Sequence, residues 1–168
     1  MGKSHQRKAV FQGHRLGGAP QPIKAQYRGG IINCNASPSL LTGFSLKDRS
    51  SMTGPIPWNP SKIRLWIAEG QQGGKSMLGF ELKKELASMN PLPANFLDFL
   101  IDHPDYVPKE MLDKLQNGHS IFFWGDTFID SDKEECVRCL SWFSGLKDSF
   151  DYVAKTFDDQ DLAILWAS

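Results

Sequence analysis

The chain has 168 residues, 40% of them hydrophobic and 23% charged, with a formal net charge of zero. A chain of this length can bury about two-thirds of its unfolded surface without a disulfide or metal, and no run in it approaches the roughly 20 apolar residues of a membrane span. Three cysteines, Cys34, Cys136 and Cys139, are an odd number, and the longest apolar run among the first twelve residues is Ala9-Val10-Phe11. Together these predict a soluble cytoplasmic protein in a reducing compartment, with no cofactor and no metal.

The zero net charge hides an asymmetry. Residues 1–60 carry eight basic side chains against one acid, Asp48, so the remainder is acidic by the same amount. Residues 1–30 contain Lys3, Arg7, Lys8, Arg15, Lys24 and Arg28, no acid, and breakers at Gly17-Gly18, Pro20, Pro22 and Gly29-Gly30. This composition predicts a flexible or extended basic arm, with a single domain over residues 31–168. The six cations suit either a nucleic-acid backbone or the protein's own acidic body.

Ile31-Ile32 leads through Asn33, Cys34 and Asn35 to Pro38, a short strand running into a turn. Residues 42–60 are rich in Gly, Ser and Pro and predict a long loop pinned by Phe44 and Trp58. The segment after Asn59-Pro60 fits a helix capped by Asn59 or a strand with Ile63, Leu65 and Ile67 on one face; its β-branched and aromatic content favours the strand. Leu78, Leu82, Leu86 and Met89 recur at helical spacing, predicting a helix over residues 77–88. A second helix is predicted from Ala94 to Asp102, ended by Pro104, and a third after Pro108, closed by Gly118.

From His119 to Phe143 two strand-forming runs flank the polar turn Asp130-Ser131-Asp132-Lys133, the composition of a β-hairpin. A third run, 149–157, alternates Phe150, Tyr152 and Ala154 with Asp151 and Lys155. The predicted fold is therefore α+β: a three-stranded antiparallel meander over about residues 120–157, preceded by two or three short helices. In its first strand Ile121 and Phe123 share one face, and Phe122, Trp124 and Phe128 the other, so both faces of the sheet need cover. Leu162, Ile164, Leu165 and Trp166 make the last segment too apolar for a free tail.

The runs PLPANFLDFLIDHPDYVPKEM, FFWGDTFIDSD and VRCLSW resemble small uncharacterised bacterial proteins. In those, an Asn-Ala-Asn-x-Leu-Asp-x-Leu helix precedes His-Pro and Ile-Pro, then Phe-Phe-Trp-Gly-Thr and Val-Arg-x-Leu strands. The resemblance spans about residues 63–143, with Ile32-Asn33-Cys34-Asn35-Ala36 as an upstream echo. Asp126 stands where that pattern has Thr, and Pro93 where it has Asn. The resemblance implies one bacterial domain with this order of elements and brings no activity with it.

Most chemical motifs fail on spacing. Gly70 to Ser76, GQQGGKS, is one residue short of a phosphate-binding loop, and Glu69 occupies the place of its first glycine. Cys136 and Cys139 have metal-pair spacing, but residues three apart on a strand point to opposite faces. Asp130, Asp132 and Glu134 begin like a calcium loop that lacks its later glycine and glutamate. Asp98 and Asp102 share a polar helix face. Arg138, on the apolar face of its strand, predicts an ion pair with an acid such as Asp126 or a place in a pocket.

These readings point to a non-enzymatic binding or regulatory protein of bacterial type whose partner is another protein, with no membrane contact. One alternative is nucleic-acid binding through the basic arm. The other is a small hydrolase or similar enzyme, which requires Asn33, Asn35, Asp98, Asp126 and Arg138 to converge in a cleft.

Overall fold

The computed structural model describes residues 30–168; the basic-arm expectation, apart from Gly30, lies outside them. In chain order the strands and α-helices are β1 (Ile31–Asn33), β2 (Ser45–Asp48), β3 (Pro55–Pro57), β4 (Ile63–Trp66), β5 (Met77–Leu78), α1 (Gly79–Leu86), α2 (Ala94–Asp102) and α3 (Lys109–Gln116). They continue with β6 (Ser120–Phe122), β7 (Thr127–Ile129), β8 (Glu135–Trp142), β9 (Leu146–Tyr152), β10 (Thr156–Phe157) and β11 (Asp161–Trp166).

The expected three-stranded antiparallel meander is overturned. The main sheet has seven strands and is mixed, ordered β2-β7-β8-β6-β11-β4, with β9 on the other side of β8. The last segment supplies the difference: β11 lies between β6, to which it is parallel, and β4, to which it is antiparallel. β6 and β7 run end to end along one side of β8. They part at Phe123–Asp126, so that β6 faces β11 on its far side while β7 faces β2. The third strand also differs from expectation, starting at Leu146 and ending at Tyr152. It ends there because the Asp151 carboxylate accepts from the Tyr152 N–H and from Lys155 Nζ, and the Lys155 N–H donates to the Tyr152 carbonyl, turning the chain toward β10.

Side-chain alternation divides the core between the two sheet faces. Ile121, Phe123, Leu140, Leu162 and Ile164 pack under α2 and α3 with Trp58 and Ile32. Phe122, Trp124, Val137, Cys139, Ala163 and Leu165 pack under α1 through Leu82 and Leu86, together with Val153 and Phe157. The long loop does not stay open: β3 pairs with β1, and Trp58 packs against Phe96 and Phe99. Gly125 allows the break between β6 and β7, since a Cβ there would lie 2.6 Å from the Pro91 carbonyl and the Pro93 nitrogen. Its N–H donates to the Leu92 carbonyl. No helix among the described residues is long and apolar enough to cross a membrane.

Candidate interaction edge

The hairpin of β8 and β9 turns through Phe143, Ser144 and Gly145. Ser144 takes φ 56° and Gly145 φ 143°, in a three-residue connection that pairs Trp142 with Leu146. This register runs unbroken for seven pairs, from Trp142 and Leu146 to Cys136 and Tyr152.

Within the pairing, the direction of each peptide group follows from two bonds. The Arg138 carbonyl accepts from Phe123 on the β6 side, and the Glu135 carbonyl accepts from Val153 on the β9 side. Because backbone groups alternate sides along a strand, Val137, Cys139 and Ser141 face β9, where they engage Asp151, Ser149 and Lys147. The N–H and C=O of Asp148 and Phe150 therefore point away from β8, and among the described residues no strand pairs with β9 on that side. A sheet edge of this kind is a template for another strand.

The edge is braced from beneath by Arg138, whose side chain is only 2% exposed. Its Nη2 donates to Asp148 Oδ2 at 2.6 Å and its Nε to Asp148 Oδ1 at 3.3 Å. Its Nη1 donates to Asp98 Oδ1 of α2 at 2.7 Å and to the Ser39 carbonyl at 3.2 Å, while the Ser39 N–H donates to Asp98 Oδ2 at 2.8 Å. One guanidinium thus ties β8 to β9, to α2 and to the segment before β2, with all its hydrogen bonds fixed in one plane. Burial works against the Arg138 charge, but Asp148 and Asp98 outweigh it and hold the guanidinium above its ordinary pKa. Burial pushes the Asp148 carboxyl up, Arg138 pulls it down, and the neighbouring Asp98 charge adds to the rise, so the net direction is upward. Phe150 caps the guanidinium, 5.8 Å from its carbon, and packs against Phe44 and Phe128.

Of the five residues proposed from sequence to form a pocket, the structure brings together Asp98 and Arg138. Asn33 and Asn35 shape the turn after β1: Asn33 Oδ1 accepts from the Asn35 N–H, and Asn35 Oδ1 from the Gly54 N–H. Asn95 secures that turn, donating to the carbonyls of Asn33 and Ala36. Asp126 is not the partner of Arg138. It is 1% exposed and caps the start of α2, accepting from the Ala94 N–H at 2.8 Å and from the Ser50 N–H at 2.9 Å. A carboxylate at a helix N-terminus is favoured by the unpaired amides there. Asp148 and Ser39 escaped the sequence reading. A register counted back from a three-residue turn at 143–145 would have placed Asp148 diagonally across from Arg138, within reach of a long side chain.

Two other features are structural. In the GQQGGKS stretch Gln71 is buried, accepting from the Ala68 N–H and donating to the carbonyls of Asp158 and Asp161. Cys136 and Cys139 lie on opposite faces of β8; burial pushes both thiols up to about 12, and Cys34 up to about 11. A cleft of about 530 Å³ beside β2 is lined by Asp48, Arg49, Lys83, Trp124 and Trp166 among others. Its charges are engaged: Lys83 bonds Asp48 at 2.6 Å and Glu135 at 2.5 Å, and Arg49 donates to the carbonyls of Cys34 and Ala36.

Comparison of the chain with protein-family models, with curated proteins and with solved structures finds no match.

Proposed function

We propose that this chain is a non-enzymatic binding protein of bacterial type, working in the cytoplasm, whose partner is another protein that adds a strand to β9. The observation that carries the reading is the outward direction of the Asp148 and Phe150 peptide groups on a seven-residue strand tied to β8 through Arg138. Main-chain hydrogen bonds supply affinity in such an arrangement, and the flanking side chains select the partner. Lys147, Asp148 and Asp151 on the same strand restrict pairing to a strand of matching charge. A reducing location is supported by three cysteines that are all buried and free. An enzymatic cleft has less support, because Asn33, Asn35 and Asp126 spend their hydrogen bonds on backbone amides.

Photo-crosslinking in cells tests the reading. A photoreactive residue at Phe143, which is 77% exposed at the hairpin tip, is compared with one at the exposed Phe80 of α1. The expected result is one discrete adduct from position 143 only, with hydrogen exchange at Asp148 and Phe150 slowed in the isolated complex. Identical adducts from both positions, or none from 143, would end it.

A second reading, nucleic-acid binding, rests on the six cations and no acid of residues 1–30. It requires oligonucleotide retention that falls with salt at a slope of about 0.7 to 0.9 per phosphate contacted. Equal retention after all six cations are replaced by Gln would remove it.

A further inference from the structure

We infer that the strand received by β9 is β9 of a second copy, a conclusion that rests on the binding role of that edge. Two identical edges pair antiparallel about a two-fold axis, which makes the contact self-complementary. The outward peptide groups belong to even-numbered residues, so an axis at Lys147, Asp148, Ser149 or Phe150 sets outward groups opposite one another. The first is disfavoured because it sets Lys147 against its own copy. The axis therefore falls at Asp148, at Ser149 or at Phe150.

Charge selects among them. An axis at Asp148 sets that carboxylate against its own copy, and like charges directly opposite one another are unfavourable. An axis at Phe150 sets Asp151 opposite Ser149 of the second copy and leaves Lys147 beyond the acid. With the axis at Ser149, Asp148 and Phe150 exchange main-chain hydrogen bonds across it, and Lys147 faces Asp151 of the second copy on both sides. Lys147 and Asp151 direct their own peptide groups toward β8. Across the new contact they therefore form non-hydrogen-bonded pairs, the closer kind, with Cα atoms about 4.5 Å apart. Lys147 Nζ already sits over the Phe143 ring, 5.2 Å from its centroid, at the end of the strand. The free run ends at Tyr152, whose N–H and C=O are taken by Asp151 and Lys155 of its own chain. The hydrogen bonds across the new contact are thus those of Asp148 and Phe150 of each copy, with the Lys147–Asp151 pairs on either side.

The test uses the full chain in sedimentation and light scattering from about 1 to 100 μM, the range in which a modest interface dissociates. The wild type is expected to form a dimer. Lys147→Asp and Asp151→Lys each set like charges face to face twice per dimer and are expected to weaken it about tenfold or more. Mixing the two variants in equal amounts restores both opposite-charge pairs, since each chain supplies what the other lacks, and a heterodimer is expected. Thermal melting of both variants separates loss of contact from loss of fold, since Asp151 also holds the Tyr152 N–H and Lys155.

A dimer that survives both single substitutions, or variants that lose it and fail to recombine, would overturn the Ser149 register. A monomeric wild type would overturn the second copy as occupant. In that case an adduct from Phe143 of another mass retains the binding role of β9, whereas no adduct ends both.

Discussion

Arg138 on β8 and Asp148 on β9 meet diagonally across the hairpin through two near-parallel hydrogen bonds of 3.3 and 2.6 Å, on a side chain with 2% exposure. A guanidinium this buried depends on its acids. Removing it also leaves Asp98 and Asp148 facing each other without a cation. Arg138→Met is expected to cost about 3 to 5 kcal/mol in urea denaturation, the usual range for breaking a buried pair from one side. Asp98→Asn, which retains an acceptor and leaves the Asp148 pair, should cost clearly less. Equal losses would mean that Asp148 contributes nothing.

Trp124 is 4% exposed, stacks edge-on with Phe157, and carries a buried indole N–H with no acceptor among the described residues. Trp124→Ala should destabilise by about 3 to 5 kcal/mol. Trp124→Phe keeps most of the packing and removes the unpaired donor, so its loss should stay under about 1.5 kcal/mol. A large loss from the Phe variant would show that the N–H has an acceptor after all.

Asp126 satisfies two backbone donors from different segments, Ala94 and Ser50. Asp126→Ala leaves both without a partner, at about 1 to 3 kcal/mol each where water is excluded. The expected loss is about 2 to 4 kcal/mol, with faster hydrogen exchange at Ala94 and Ser50. Unchanged exchange at both amides would refute the capping role.

The Lys83 network sets an acid dependence. Burial pushes the Glu135 carboxyl up, but hydrogen bonds from Lys47 and Lys83 outweigh it and hold it below its usual range. Asp48 is lowered chiefly by its hydrogen bond from Lys83. Depressed carboxylates stabilise the fold above their unfolded pKa values, near 4, and that stabilisation is lost as pH falls through the depressed folded values. Asp148, raised by burial, has the opposite sign and favours the fold as pH falls. Lys83→Met removes its own share of the first effect, leaving the Lys47–Glu135 pair and the Asp148 effect in place. Its cost should be about 1 kcal/mol at pH 7, allowing for solvent screening, and should be smaller at about pH 3, below the unfolded carboxylate range. Equal urea midpoint shifts at the two pH values would contradict the network.

What the sequence alone determined was local. Helices α2 and α3 lie where apolar spacing and the flanking Pro104, Pro108 and Gly118 put them, because caps and periodicity act within a few residues. The opposed faces of Ile121 and Phe122 were legible for the same reason: strand alternation is set by neighbouring peptide units. The site was half legible, with Arg138 conspicuous as a charge on an apolar face and Asp98 visible on a polar one. The tertiary structure decided the rest. Asp126 and Asp148 are both carboxylates near Arg138 in the chain, and register and the break at Gly125 assigned one to the α2 cap and the other to the guanidinium. The run Leu162–Trp166 carried enough apolar surface to require burial. Only the folded chain could place it between β4 and β6, because pairing strands about forty and one hundred residues apart depends on which surfaces remain to be covered once the helices have packed.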